Sequence, residues 1–282
     1  MKEKYFLTVC TLGEHPNLLN CLEQLLKIKN SAFEDIEVLL VINKNRFPHS
    51  FDPGVIVRFE AIKGYSSVRN RAISEISEGG NLIFVDDDEL PTLDWFNSLV
   101  YMHKRFPSDV ISGPVLPALE ANPFSYREMY KTEILKKQNG SLLKHTGTGN
   151  TLIPWDLIRR NLIYFDPLFN LIGGEDTDLS FKLQKNGIII RFAKDALLRE
   201  VQSLQKFDSS YKESRYIKDI ANYSLVIRRH GSIAEKFWRF WTLVIRIAVH
   251  LPASCFIRSS LVSVKAHSKS LYVLISGNVV GK

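Results

Sequence analysis

The sequence predicts an α/β fold in which helices cover both faces of a mostly parallel sheet. Strand-like and helix-like segments alternate through the first half of the chain, the pattern of parallel strands joined by helices. Residues 36–42 and 82–85 are continuous aliphatic runs, as expected for strands buried on both faces. The chain has 282 residues, 45% of them hydrophobic and 24% charged, which suits one large globular domain with an extension.

The individual elements follow from hydrophobic spacing. Strands are runs of aliphatic or β-prone residues, and helices place apolar residues three and four positions apart. The predicted strands are 5–11, 36–42, 55–59, 82–85, 110–112, 151–153 and 188–190. The predicted helices are 17–29, 66–76, 93–104, 155–160 and 175–185, with a helical region from residue 209 onward. Residues 114–145 mix Pro, Asn, Gly and aromatics and indicate an irregular lid or helical insertion.

A domain boundary is predicted near Gln205, which separates residues 1–205 from a basic, aromatic helical region over residues 206–282. The net charge of +7 suits an anionic partner such as a nucleotide or a phospholipid surface. No recognised nucleic-acid module occurs, so a nucleic-acid partner fits poorly. Segment 233–257 is apolar but contains arginine and proline, which favours a pair of amphipathic helices lying on a membrane surface over a span. Packing of this segment on the α/β domain is the alternative.

The cysteine pattern favours a cytoplasmic protein. The three cysteines lack the spacing of metal ligands, and no targeting segment is apparent. Reduced thiols in the cytoplasm account for an odd number of cysteines.

Three carboxylates follow the aliphatic run 82–85, at the point where that strand must end. They are Asp86, Asp87 and Asp88, with Glu89 directly after them. Clustered carboxylates repel one another, so they are costly unless a cation or hydrogen-bond donors balance them. Mg²⁺ and Mn²⁺ prefer oxygen ligands, and open α/β sheets bind ligands at the carboxyl ends of strands. The cluster therefore indicates either a metal site or a solvated acidic turn.

A candidate phosphate site precedes the predicted helix 66–76. Gly64 permits a tight turn, and the serines that follow can cap the helix. Arg69 and Arg71 lie in the first turns, and a helix N-terminus with nearby arginines suits a diphosphate. A capped surface helix with exposed arginines is the alternative, but the carboxylates after the next strand favour a metal-diphosphate site.

A second acidic cluster, Glu175, Asp176 and Asp178, opens the predicted helix 175–185 directly after two glycines. Acids in a first turn favourably oppose the helix dipole, and we expect this structural role for Asp178. A carboxylate beside a flexible glycine turn can also act as a general base, so Glu175 and Asp176 are the candidates.

Taken in chain order, these segments closely resemble the family 2 inverting glycosyltransferases of the GT-A fold, over about residues 5–205. The resemblance depends on the strand ends at Thr11 and Asn43, segment 64–70, segment 85–89, Gly149-Asn150 and Gly174-Glu175-Asp176. The form of segment 85–89 and the tail are similar to those of bacterial enzymes that build exopolysaccharide, capsule or O-antigen units.

The resemblance implies roles for individual residues. The nucleotide-sugar donor would contact Thr11, Glu14, Asn43, Arg69, Asp86 and Asp87. Asp88 would ligate Mn²⁺ or Mg²⁺, and Asp176 would deprotonate the acceptor hydroxyl with Glu175 beside it. Asn150 and Trp155 would lie near the donor sugar or the acceptor.

The implied activity is metal-dependent, inverting hexosyl transfer from a nucleoside-diphosphate sugar, expected to be a UDP-sugar, to a saccharide acceptor, free or lipid-linked. Residues 1–205 would form the catalytic domain. Residues 206–282 would contact the membrane or the acceptor, which implies a peripheral position at the inner face of the cell membrane.

Two positions depart from the family pattern. The second strand commonly ends in an Asp that reads the base, and this chain has Asn43, whose amide can still pair with uracil. Many relatives carry a metal-binding His after the last strand of the sheet, and the nearest residue here is Glu200. Glu200 is a metal ligand, a salt-bridge partner of Arg199, or neither. These departures leave a non-catalytic scaffold or sugar-binding subunit of the same fold as the alternative, although Asp86, Asp88 and Asp176 are retained.

Overall fold

The computed structural model describes residues 2–13, 15–44, 46, 50–77, 79–119, 136–202, 209–251, 254 and 257–278. Strands in this part of the chain form two sheets. They are β1 (Lys4–Thr11), β2 (Asp35–Ile42), β3 (Val55–Phe59), β4 (Gly80–Val85), β5 (Glu89–Leu90), β6 (Val110–Ser112), β7 (Val115–Leu119), β8 (Thr151–Ile153), β9 (Ile190–Phe192) and β10 (Leu198–Gln202).

The described helices cover the sheet and form the C-terminal region. They are α1 (Leu18–Ser31), α2 (Tyr65–Ser74), α3 (Leu93–Arg105), α4 (Trp155–Arg159), α5 (Glu175–Lys185), α6 (Ser209–His230), α7 (Ile233–His250) and α8 (Arg258–Ser276). None of these helices combines the length and hydropathy that crossing a bilayer requires.

The main sheet has seven strands in the order β3-β2-β1-β4-β8-β6-β9. All of them run in one direction except β8, which is antiparallel to both of its neighbours. The sheet is therefore mostly parallel, as the sequence predicts, and its carboxyl edge gathers the ends of β1, β2 and β4. The start of β8 lies at the same edge because that strand runs the opposite way.

Alternating side chains of the central strands pack against helices on opposite faces. In β1, Leu7 packs with the face covered by α1 and α3, while Phe6 packs with the face covered by α2 and α5. In β2, Leu40 packs on the face covered by α1 and α3, and Leu39 packs on the face covered by α2 and α5. Two buried faces explain why the strand sequences are continuously apolar.

The last predicted strand is displaced by two residues. Gly187 adopts φ of +70°, and the N–H of Ile188 donates a 3.0 Å hydrogen bond to the carbonyl of Leu183. Ile188 thus closes the end of α5, and β9 begins only at Ile190. A helix C-cap therefore takes residues that the apolar pattern assigns to a strand.

A small sheet with the order β5-β10-β7 is absent from the sequence prediction. β7 lies inside the segment expected to be irregular, of which residues 120–135 fall outside the described part of the chain. β5 has only two residues, which is too short for a periodic signal. The predicted boundary near Gln205 also falls outside the described residues.

Candidate active site

A cleft of about 700 Å³ opens at the carboxyl edge of the main sheet. β1 ends at Thr11, while Asn43 follows β2 and Asp86 follows β4. These strands are parallel neighbours, so their ends bring the three residues to the same cleft. Arg69 of α2 also lines this cleft. Residues predicted for a donor site from separate parts of the sequence thus lie together.

The turn after β4 crowds carboxylates into a small space. Glu89 is buried, and its Oε2 accepts a 2.8 Å hydrogen bond from the N–H of Asp86. Desolvation and the nearby Asp86 raise the pKa of Glu89 well above its usual value. Desolvation, opposed by Arg69, and repulsion from Asp88 raise the pKa of Asp86 to about 7. The close carboxylates thus disfavour negative charge on Asp86 and Glu89, and a bound cation would relieve this repulsion.

Different elements hold the other two aspartates of the turn. The Thr11 hydroxyl donates a hydrogen bond to Asp87 Oδ2, which ties Asp87 to the end of β1. The carbonyl of Asp88 accepts a 2.7 Å hydrogen bond from the N–H of Val201 in β10. The small sheet therefore fixes the backbone of Asp88, and the half-buried side chain lines the cleft.

The donor set fits a hard divalent cation that is shared with a diphosphate. Asp86 and Asp88 present carboxylates to the cleft, the ligand type that Mg²⁺ and Mn²⁺ prefer. In the described ranges, no group of three His, Cys, Asp or Glu residues is placed to hold a metal ion. Ions held by one or two carboxylates plus substrate phosphates need no such group. Glu200 lies near this turn, because it pairs with Glu89 across β10 and β5.

Arg69 links the carboxylates of the two acidic clusters. Its buried guanidinium forms an ion pair with Glu175, lies 3.3 Å from Asp176 Oδ1 and lies 3.9 Å from Asp86 Oδ1. Arg69 projects from α2, whose N-terminus follows Gly64 at φ of +140°. A Cβ at Gly64 would stand 2.3 Å from Asn170 Cβ, so this close approach requires glycine.

The second acidic cluster starts α5 after Gly174, which has φ of +99°. Glu175 is buried against Arg69, whereas the side chain of Asp176 is 31% exposed. The Thr148 hydroxyl donates a hydrogen bond to Asp176 Oδ1. Desolvation, opposed by the attraction of Arg69, and repulsion from Glu175 raise the pKa of Asp176 to about 6. Asp176 is thus a partly accessible carboxylate with a pKa suited to accepting a proton near neutral pH.

Asn43 uses its amide inside the protein. Its Nδ2 donates to the carbonyls of Glu60 at 3.0 Å and Ile62 at 2.8 Å, and its Oδ1 accepts from the N–H of Gly64 at 2.7 Å. Both amide protons are therefore engaged in holding the loop before α2. The side chain lines the cleft while it supports the turn that presents Arg69.

Asn150 is fully buried, so the structure does not place its side chain in the cleft. Its amide donates to the carbonyls of Pro114 and Ala196 and accepts from the Trp95 ring N–H at 2.6 Å. All of these bonds anchor the turn before β8, and the expected place of Asn150 near the donor sugar or the acceptor stays a prediction. Its neighbour Gly149 reaches the acidic turn instead, since a Cβ there would stand 2.6 Å from Glu89 Oε1 and 2.8 Å from Asp86 Oδ2.

Trp155 lies at the opposite edge of the sheet. β8 runs antiparallel to β4, so the chain returns from the carboxyl end of β4 to its start. There the Trp155 N–H donates a 3.0 Å hydrogen bond to Asn81 Oδ1. The structure therefore places Trp155 away from the cleft at the carboxyl edge. Glu14, predicted beside the donor, falls outside the described residues.

A second cavity of about 560 Å³ lies on the other side of Tyr65 and includes Asp176 in its lining. Its far wall is α6, which the sequence assigned to the tail. Asn222 of α6 donates a 2.7 Å hydrogen bond to the carbonyl of Ile172, just before the glycine turn. The C-terminal helical region thus packs against the α/β domain beside the candidate base.

Asp178 has the structural role that the sequence predicts. Its side chain is fully buried, and Oδ1 lies 2.6 Å from His230 Nε2 at the end of α6. Oδ2 lies 2.6 Å from Lys182 Nζ. Asp178 therefore ties α6 to the helix that carries Asp176.

Sequence reasoning missed Thr148, which contacts the candidate base. The only sequence signal for Thr148 is its place in the Gly-rich segment 146–151. This segment lies beside Asp176 because β8 starts at the carboxyl edge of the sheet. That placement follows from strand order, which local patterns do not reveal.

Comparisons with known proteins agree with this architecture. A crystal structure of GalNAc-T7 with UDP, GalNAc and Mn²⁺ is similar over 80% of this chain and 48% of that chain, with a TM-score of 0.57 and 13% identity. The chain thus spans about half the length of that protein, and the likeness shows that the fold is of the GT-A type. No curated protein sequence matches the chain.

The family model described as glycosyl transferase family group 2 matches residues 82–277. The match covers the carboxylate turn, the glycine turn before α5 and the described C-terminal helices. Since it extends over more than half of the chain, the protein belongs to the glycosyl transferase family group 2.

Proposed function

We propose that the protein is a metal-dependent, inverting hexosyltransferase that moves a sugar from a UDP-sugar to a saccharide acceptor. The observation that carries the proposal is the position of Arg69 between Asp86 and Asp176. It sets a candidate metal-diphosphate site and a candidate base on either side of one guanidinium. Direct displacement at a sugar carbon needs a base at the acceptor and stabilised charge at the leaving group, and this pairing of sites supports both roles.

Each group has a task in this proposal. Asp176, in its unprotonated form, accepts the proton of the acceptor hydroxyl, and Thr148 orients the carboxylate by its hydrogen bond. Arg69 provides positive charge near the leaving diphosphate. When bound by Asp88 and Asp86, Mn²⁺ or Mg²⁺ would neutralise charge that develops on that leaving group. Because the acceptor attacks directly, no carboxylate needs to become covalently attached to the sugar.

Calorimetric titration with UDP, with and without Mn²⁺, tests the donor half of the proposal. We expect binding that requires the metal. Absence of binding under both conditions would favour the alternative of a non-catalytic scaffold. A hydrolysis screen over several nucleotide sugars with Mn²⁺ then identifies the nucleotide base and the sugar of the donor. Asn43 leaves the nucleotide base open, because its amide is engaged inside the protein.

Replacing the candidate catalytic base Asp176 separates donor binding from sugar transfer. Asp176→Asn keeps a polar side chain of the same size but cannot accept the proton, so we expect unchanged UDP affinity. Transfer should fall by about two to four orders of magnitude, the usual contribution of a general base. Full turnover by this variant would remove Asp176 from the role of base.

The proposed acceptor belongs to bacterial surface polysaccharide synthesis. The support is the similarity of segment 85–89 and the basic tail to enzymes of that kind. Transfer to repeat-unit saccharides, assayed as free sugars and as lipid-linked forms, would test this assignment.

We also propose that the protein lies peripherally at the inner face of the cell membrane through α7. Phe237, Trp241, Ile245 and Val249 recur every four residues on one side of this helix and are 56%, 44%, 57% and 66% exposed. Trp238 beside them is 69% exposed. An amphipathic helix with exposed aromatic residues and basic neighbours suits insertion into the interface of an anionic bilayer.

A further inference from the structure

Tyr65 borders both cavities of the candidate site. It lines the cleft of about 700 Å³ that holds the predicted donor residues, and it lines the cavity of about 560 Å³ that includes Asp176. Among the residues that the structure describes, Tyr65 is the one shared by the two linings. Its side chain is 52% exposed. The ring is therefore open to a ligand between the candidate diphosphate site and the candidate base.

Arg69 relates the Tyr65 ring to the groups on either side. The guanidinium carbon of Arg69 lies 6.0 Å from the centre of the ring. The same guanidinium lies 3.9 Å from Asp86 Oδ1 and 3.3 Å from Asp176 Oδ1. In a nucleotide sugar, the group that follows the diphosphate is the sugar. A donor with its diphosphate beside Asp86 and its reacting carbon towards Asp176 would thus bring its sugar to Tyr65.

Hydrogen bonds hold the start of α2, which carries the ring. The N–H of Tyr65 donates a 3.1 Å hydrogen bond to the carbonyl of Asn170. The Ser67 N–H donates to Asn170 Oδ1 at 2.8 Å, and the Ser67 hydroxyl accepts from Asn170 Nδ2 at 2.8 Å. The Ser66 hydroxyl donates to the carbonyl of Asp166 at 2.7 Å. Because this support is fixed, less entropy is lost when a ligand is ordered against the ring.

The ring of Tyr65 is not needed for this support. Its hydroxyl forms no hydrogen bond with any residue in the described part of the chain. Phe165 also lies near the Arg69 guanidinium, at 5.6 Å, but it is fully buried and packs in the core. Tyr65 instead presents an aromatic face to the cavities, and such a face suits the C–H side of a pyranose ring.

We propose that Tyr65 is the platform on which the transferred sugar lies, and that it selects the donor by the shape of that sugar. The C–H face of the pyranose would stack on the ring. A hydroxyl that projects axially from the stacked face would hold the sugar away, so the contact distinguishes epimers. The inference rests on the proposed transferase function and adds a residue that determines donor specificity. Tyr65 is a positioning residue and transfers no proton.

The test is calorimetric titration of the full chain with Mn²⁺ and without acceptor. The probes are UDP and two pairs of UDP-sugars that differ at C4, namely the glucose and galactose pair and the pair of their N-acetylamino forms. We expect the wild type to prefer one member of a pair. Tyr65→Ala should bind that sugar about tenfold more weakly and lose the preference, with UDP affinity unchanged. Tyr65→Phe keeps the aromatic face and should bind as the wild type does.

Tyr101→Ala is the matched control, because it removes a 61% exposed ring that lines neither cavity. It should leave every affinity unchanged. Unchanged UDP affinity and an unchanged unfolding midpoint show that each variant is folded.

Four results would overturn the platform. They are wild-type affinity of Tyr65→Ala for the preferred sugar, an equal loss of affinity for UDP and the UDP-sugar, a loss in Tyr65→Phe as large as in Tyr65→Ala, and equal wild-type affinity for both members of each pair. The second result would assign the ring to the nucleoside, and the third would assign the effect to the hydroxyl. A wild type that binds neither UDP nor any UDP-sugar would instead contradict the transferase function itself.

Discussion

At the scale of single residues, Arg69 connects the two halves of the site. It contacts Glu175 and Asp176 of one acidic cluster and approaches Asp86 of the other. A planar guanidinium can serve several carboxylates at once, whereas the ammonium of lysine acts as a single point charge. The positions of these three carboxylates thus favour arginine over lysine at residue 69. The sequence predicted only a role for Arg69 toward a diphosphate.

The raised pKa of Asp176 predicts the acid limb of the activity profile. With a pKa of about 6, the carboxyl keeps its proton to higher pH than an ordinary aspartic acid. The base form is therefore present above about pH 6 and is lost below it. At saturating donor and metal, we expect kcat to fall about tenfold for each pH unit below this value. UDP affinity measured at the same pH values is the control, and a flat profile down to the pKa of an ordinary aspartate would contradict the assignment.

Gly149 provides a test of the acidic turn. A Cβ at this position would stand within 3 Å of carboxylate oxygens of Glu89 and Asp86. Gly149→Ala should therefore displace the turn at a cost of about 1–3 kcal/mol and weaken Mn²⁺-dependent UDP binding correspondingly. Gly147→Ala is the matched control, since a Cβ at Gly147 meets nothing within 4 Å. Equal UDP affinities of the two variants would show that the turn tolerates the displacement.

At the scale of elements, α6 is held to the α/β domain by a buried contact. His230 meets Asp178, which is fully buried. His230→Leu would leave that carboxylate with Lys182 as its ion-pair partner, and we expect a loss of about 2–4 kcal/mol in the free energy of unfolding in urea. Arg160→Ala removes an exposed ion pair with Asp156 and should leave the unfolding midpoint unchanged. If both variants unfold at the same midpoint, α6 is held by its apolar contacts instead.

The elements also show what the sequence could and could not predict. Central strands such as β2 were predictable because burial on both faces leaves a continuous apolar run. The β5-β10-β7 sheet was not, because pairing between short, distant segments leaves no local pattern. The reversed direction of β8, which sets the edge of the sheet where Trp155 lies, was also hidden. In the site, acidic clusters were visible as residue types, while Thr148 became significant only through its tertiary neighbour.

At the scale of the whole molecule, the exposed side of α7 predicts how the protein meets a membrane. The double variant Trp238→Ala, Trp241→Ala should reduce flotation with vesicles containing anionic lipid by about tenfold, since each ring contributes apolar area to the interface. Tyr101→Ala, which removes a 61% exposed aromatic ring from α3, should float as wild type does. Unchanged flotation of the double variant would eliminate α7 as the contact surface.

The order of the site along the chain has a consequence for how such enzymes diversify. The described residues of the candidate donor cleft that precede β5 include Thr11, Arg69 and Asp88, whereas Thr148, Asp176 and the α6 wall all come later. A genetic exchange shortly after Leu90 would therefore combine the candidate donor residues of one chain with the candidate acceptor residues of another. For such a chimera to remain active, Arg69 must still meet an acidic pair and Gly149 must still fit against the turn. Other contacts across that point, such as Gly64 against Asn170 and the pairing of β4 with β8, must be kept as well.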